Sequence, residues 1–173
     1  MREENGPEKN KMREAGICIR PMREEDLDQV TELERENFST PWSRKSFLDF
    51  LPSRDAIFLV AVRDGAEEDV WGYCGVLQSL DTGDITNVSV DPERKGRGIG
   101  TLLLEELIRR SREAGIQKLF LEVRESNLPA NRLYEAHGFR QVGIRRHYYT
   151  NPEEDARVLC RDEEEMRHVQ SGI

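Results

Sequence analysis

The chain has 173 residues, of which 36% are hydrophobic and 35% charged, and its formal net charge is -8. That length supports one domain with a proper core and is too short for two comfortable ones. The acidic balance argues against direct nucleic-acid binding, so an anion is expected only at a local basic cluster. Cys18, Cys74 and Cys160 are odd in number and widely spaced. They read as small apolar residues rather than a disulfide framework or metal ligands, and no metal is expected. The N-terminus lacks a signal-peptide core and no run approaches the roughly 18 apolar residues that cross a bilayer. A cytoplasmic protein with no membrane partner is the expectation.

Residues 1–15 are dense in Glu, Lys, Arg and Asn and are expected to be a disordered extension, with Met12 as an alternative start. Residues 16–161 form the expected domain and 162–173 a C-terminal tail. Ile17 to Arg20 reads as a strand, and Glu24 to Asn37 as a helix with Leu27, Val30, Leu33 and Glu34 at helical spacing. A turn through Pro41 and Trp42 leads to a second helix, Ser43 to Phe50, with Ser43 as its N-cap. Ile57 to Arg63 and Val70 to Ser79 read as an antiparallel pair joined at Asp64-Gly65, followed by a turn at Asp81 to Gly83.

The stretch Asp84 to Thr101 then runs strand, basic glycine loop, helix. Gly96, Gly98 and Gly100 leave backbone N–H groups uncovered, and the helix from Ile99 aims its positive end at whatever sits there. A phosphate or pyrophosphate suits that place, although the loop alone also reads as a flexible turn. Neither a Walker loop nor a dinucleotide fingerprint is present. The helix is expected to end at Gly115. Gln117 to Val123 follows as a strand with Leu119, Leu121 and Val123 on one face and Phe120 and Glu122 on the other. Asn127 caps a helix that contains Tyr134 and ends at Gly138, and Gln141 to Tyr149 pairs with Asp155 to Arg161 as closing strands. The order implies an α/β protein with one mixed sheet and helices on its faces.

Val88-Ser89-Val90-Asp91-Pro92 and the loop after it resemble the acetyl-coenzyme A motif of the GNAT superfamily of N-acetyltransferases. Thr40 to Ser43, Leu119 to Asn127, Leu133 to Glu135, Gly138-Phe139 and Arg145 to Tyr149 resemble, more narrowly, its RimI branch, which acetylates the N-terminal alanine of a ribosomal protein. The resemblance spans about Ile17 to Cys160. It implies a mixed, mostly antiparallel central sheet splayed between the fourth and fifth strands, with helices on both faces. It further implies that Val88, Ser89 and Val90 line the pantetheine arm of acetyl-CoA. Lys95, Gly96, Arg97, Gly98, Ile99, Gly100 and Thr101 would surround the pyrophosphate, and Asn127 would touch the cofactor further along.

Acetyl transfer from a thioester needs a neutral amine, help for the oxyanion and a proton for the leaving thiolate. The resemblance makes Glu122 the general base and Tyr134 the general acid. Read alone, Glu122 is an edge-strand carboxylate paired with Arg124 or another surface base, and Tyr134 a core aromatic with its hydroxyl at the rim. A backbone N–H near a bulge at Val88 to Val90 would meet the oxyanion. Pro41 and Trp42, with Tyr148 and Tyr149, would form walls of a peptide cleft. Thr40, Lys95 and Cys160 depart from the usual pattern. The implied partner is a protein N-terminus, that of a ribosomal protein if the RimI resemblance holds for the acceptor, and the implied state a monomer or weak dimer. A lysine, polyamine or other small amine as acceptor, or a non-catalytic CoA-binding module, are the competing readings.

Overall fold

The computed structural model describes Met12 and residues 15–172. The extension expected over residues 1–15 therefore lies almost wholly outside the described residues. Seven strands join in the order β1-β2-β3-β4-β5-β7-β6. They are β1 (Ile17–Pro21), β2 (Ala56–Arg63), β3 (Ala66–Ser79), β4 (Thr82–Val90), β5 (Lys118–Arg124), β6 (Arg140–Thr150) and β7 (Glu153–Asp162). Among the described residues they are accompanied by the α-helices α1 (Leu27–Asn37), α2 (Arg44–Phe50), α3 (Ile99–Glu113), α4 (Leu128–Ala136) and α5 (Glu163–Ser171). The sheet is mixed and mostly antiparallel. Its parallel pair is β4 with β5, a ladder of Thr82, Gly83 and Asp84 against Lys118, Leu119 and Phe120. Three pairs on a nine-residue strand make a short ladder.

The chain divides into two compact units, Met1–Gly75 with Asn87–Ile108, and Val76–Thr86 with Arg109–Ile173. In the first, β1 and β2 pair antiparallel with Ile17 opposite Arg63. Helix α1 buries Leu27, Val30 and Leu33, the stripe its spacing predicts. The start of α1 is held by a buried fork: the Arg20 guanidinium donates to both oxygens of Asp26 at 2.7 and 2.8 Å. Helix α2 begins where Ser43 accepts the Ser46 N–H at 3.1 Å, as an N-cap does.

In the second unit, the turn expected at Asp81 to Gly83 is tighter and earlier. Leu80, 90% exposed, takes a positive φ of 55°, and Gly83 already belongs to β4. Gly83 is there for packing, since a Cβ would stand 2.8 Å from Val76 Cγ2 and 3.0 Å from Ile116 Cδ1. Leu119, Leu121 and Val123 are buried on one face of β5, as alternation requires. The segment 162–173, read as a tail, is mostly α5. Asp162 caps it by accepting the Glu164 N–H at 2.9 Å. Buried Glu163 accepts from Arg161 at 2.9 Å and from Arg112 at 3.0 Å. Of the cysteines, only Cys74 is fully buried; Cys18 and Cys160 are half-exposed. No helix among the described residues is long and apolar enough to cross a membrane.

Candidate active site

Within the first unit, β4 leads from Asn87 to Val90 and then into the glycine loop. The Asp91 N–H bonds to the Trp71 carbonyl at 2.8 Å, and a Cβ on Gly72 would stand 2.7 Å from the Ser89 carbonyl oxygen. Ser89 and Asp91 therefore turn their backbone groups toward β3. By alternation, Val88 and Val90 turn theirs to the other edge. The β4–β5 ladder includes neither residue. That is the backbone geometry an added strand-like ligand needs.

Helix α1 braces this strand from its last turn. Asn37 donates to the Ser89 hydroxyl at 2.7 Å and to the Val90 carbonyl at 3.0 Å. One turn earlier, Glu34 is fully buried. Its carboxylate accepts the Trp42 N–H and the Asn87 side-chain amide, both at 2.8 Å. Burial raises its pKa to about 7, against the lowering effect of those two bonds. One carboxylate thus ties the Pro41-Trp42 turn to the residue before Val88. The Trp42 ring lies with Phe47, Phe50 and Phe58 at centroid distances of 5.3, 5.6 and 6.2 Å. It is a half-buried member of an aromatic cluster, whereas Pro41 is exposed.

After β4, Lys95, Gly96, Arg97 and Gly98 are all exposed. Gly96 and Gly98 have φ of 80° and 78°, and an added Cβ at either would meet nothing within 4 Å. The loop is open and turned in a way that side chains resist. Ile99, 1% exposed, pins the start of α3, whose first turn carries no acidic residue. Arg94 does not belong to this basic face: it pairs with Asp91 and lies 4.8 Å over the Trp71 ring. The residues fit a pyrophosphate, with uncovered N–H groups at a helix start and cations beside them.

The second unit carries the candidate acid and base. Asn127 accepts the Ala130 N–H at 3.3 Å and so caps α4. Buried Asn131 ties the helix back to β5 by donating to the Arg124 carbonyl at 3.0 Å. Arg157 of β7 adds bonds to Asn131 at 2.6 Å and Glu135 at 2.9 Å. Because Arg157 stands opposite Val123, α4 lies on the Leu119–Val123 face of β5. Tyr134 is 7% exposed there, edge-on to Phe139 at 5.6 Å. Glu122 projects from the opposite face. A base for the amine and an acid for the thiolate act on different reacting atoms, so the two have no need to touch.

Around Glu122 the structure gathers Tyr148, Tyr149 and Arg145, a residue of the same motif to which the sequence assigns no role. The Arg145 Nε stands 3.0 Å from Glu122 Oε1, and its guanidinium carbon lies 5.8 Å from the Tyr148 ring centroid. Arg124, the alternative partner, is bound instead to Glu154 at 3.2 Å and stacks over Tyr149 at 4.2 Å. Tyr148 and Tyr149 meet edge to face at 5.0 Å. Burial pushes the Tyr149 phenol up to about 12, with the neighbouring Tyr148 next in effect, so it stays neutral at physiological pH. Burial, then the Glu122 charge, also raises Tyr148. The register of β6 against β7 shifts between Arg145 and Tyr149, and His147 takes a φ of 53° there. Asp155 holds the irregular turn by accepting the His147 N–H at 2.9 Å.

A sheet of this order, its glycine loop and its strand glutamate place the chain among the acetyltransferases. It belongs to the GNAT acetyltransferase family, whose model matches residues 27–139. A Bacillus subtilis protein provisionally named a ribosomal protein bS18-alanine N-acetyltransferase is 39% identical over 143 residues, covering 82% of this chain and 93% of the relative. The ribosomal protein bS18-alanine N-acetyltransferase of Salmonella typhimurium is 34% identical over 137 residues, 78% of this chain and 90% of its own. The crystal structure of the Escherichia coli ribosomal-protein-S18-alanine N-acetyltransferase superposes with a TM-score of 0.76 at 31% identity, covering 84% of this chain and 93% of that one.

Proposed function

We propose that this chain transfers the acetyl group of acetyl-CoA to the N-terminal α-amine of a protein, with a ribosomal protein beginning with alanine as the acceptor. The observation that carries this reading is the match to relatives of that named activity over nine-tenths of their length. The backbone of Val88 and Val90 takes the pantetheine arm, flanked by Ser89. Lys95, Gly96, Arg97, Gly98, Ile99, Gly100 and Thr101 hold the pyrophosphate, and Asn127 contacts the cofactor. Tyr148, Tyr149, Pro41 and Trp42 receive the acceptor peptide.

The chemistry balances with two side chains. The acceptor ammonium gives one proton to the Glu122 carboxylate, directly or through water. An α-amine has an unperturbed pKa of roughly 7.7–8.0, against about 10.4 for lysine, so a terminal amine is much the easier of the two to deprotonate. The amine nitrogen attacks the thioester carbonyl, a C–N bond forms and the C–S bond breaks. The electron pair leaves on sulfur, which takes the Tyr134 phenolic proton. The second proton of the attacking nitrogen restores the phenol, and Glu122 releases its own to solvent. Products are the N-acetyl peptide, the free thiol and one proton.

A panel of peptides tests the reading, with acetyl positions assigned by mass spectrometry. Peptides beginning with alanine are expected to be acetylated at the terminal nitrogen. Acetylation of lysine side chains or polyamines alone would refute the N-terminal assignment, and tight cofactor binding without turnover on any amine would refute catalysis.

A further inference from the structure

The side chain on Glu122 is the one feature of the second unit that a working base does not explain. A guanidinium is always protonated and has donors but no acceptor, so it cannot relay the proton that Glu122 must collect. While Arg145 Nε stands 3.0 Å from Oε1, that oxygen is occupied by a cation. The acceptor ammonium has to deliver its proton to the same carboxylate, directly or through water.

The contact is a specific product of the strand register. Glu122 lies opposite Val158 on β7, and Val158 lies opposite Gly143 on β6. The next row on the same face is Arg124, Ala156 and Arg145. Gly143 and Ala156 offer no bulk, so the Arg145 side chain crosses diagonally over β7 to reach β5. It stays accessible on arrival: the Arg145 side chain is 59% exposed and that of Glu122 27%. An ion pair at this exposure is weak, amounting to at most about a fivefold bias toward the paired state. Beside it, the Tyr148 ring offers the guanidinium a second, uncharged neighbour.

We infer that Arg145 is a displaceable latch on Glu122. Its guanidinium holds the carboxylate in place until the acceptor's α-ammonium takes that position, and the arginine then moves to the Tyr148 ring. One cation replaces another, so the carboxylate is never left unpaired. Arg145 is thereby a positioning residue that taxes acceptor binding. The inference rests on the reading of Glu122 as the base for an N-terminal amine.

Steady-state kinetics of the full chain with an alanine-initiated peptide test it. Arg145→Met removes the internal competitor and keeps most of the side-chain length. The acceptor KM is expected to fall, by at most about fivefold, with the acetyl-CoA KM unmoved. Arg145→Lys, which keeps a cation, is expected to return the acceptor KM toward the parent value. In a Glu122→Gln background, peptide affinity measured by calorimetry is expected to be the same with Arg145 or with Arg145→Met. An unchanged or raised acceptor KM in Arg145→Met would overturn the latch, as would an equal affinity shift in the Glu122→Gln background. If the parent acetylates no N-terminal amine, the reading of the site falls and the latch falls with it. If the parent acetylates the peptide and Arg145→Met changes nothing, only the latch falls.

Discussion

Replacing Glu34 with glutamine should change how the protein's stability depends on pH, by an amount that can be worked from its surroundings. Glu34 is fully buried, and burial raises its pKa from 4.5 to about 7. A folded-state pKa above the unfolded one means that the folded chain binds the proton more tightly. The resulting stability is fully present below pH 4.5, falls as pH rises, and is gone above about 7. At about 1.36 kcal/mol per pH unit, the gap between the two values corresponds to about 3 kcal/mol. Glutamine has nearly the same shape and does not titrate. It also presents an N–H group where the Asn87 amide now donates at 2.8 Å, which adds a constant penalty at every pH. The prediction is therefore about slope. Urea unfolding at fixed ionic strength between pH 4.5 and 8 should show the parent losing about 3 kcal/mol relative to Glu34→Gln. Parallel stability curves for the two proteins would refute the argument and mean that the Trp42 and Asn87 bonds offset burial.

Glu122→Gln is expected to remove most acetyl transfer while leaving cofactor affinity nearly intact, read by calorimetry beside a turnover assay; undiminished turnover would reject Glu122 as the base. Tyr134→Phe keeps the packing against Phe139 and should slow turnover by roughly 10²–10⁴-fold, the usual loss for a proton-transfer group. A rate within about twofold of the parent would reject that role. Gly98→Val places a branched side chain at a φ of 78° in the open loop, and cofactor titration should show weaker binding because the side chain intrudes where the pyrophosphate is proposed to lie. Gly72→Ala sets a Cβ 2.7 Å from the Ser89 carbonyl oxygen. The resulting overpacking should cost about 1–3 kcal/mol in denaturant unfolding, and parent-like stability would show that β4 yields freely.

What the sequence reveals and what it conceals follow from the range of the interactions involved. The caps at Ser43 and Asn127 and the stripe of Leu119, Leu121 and Val123 depend on neighbours within a few residues, and periodicity alone locates them. Glu34 was half visible. It falls on the apolar stripe of α1 with Leu27, Val30 and Leu33, but nothing local says that its partners are Trp42 and, 53 residues away, Asn87. Gly83 misled because glycine after Asp81-Thr82 has the composition of a turn. Its actual constraint is the closeness of Val76 and Ile116, a tertiary fact. Arg145 was the least visible of all. Strand alternation puts Glu122 on a face but cannot say which cation two strands away will share it. That depends on the β6–β7 register, which slips between Arg145 and Tyr149 where His147 turns to positive φ. A one-residue change in that slip would move Arg145 to the face of α4 and leave Glu122 with a different neighbour. The candidate base is thus written in one strand, whereas its partner Arg145 is set by the irregular register of β6 against β7.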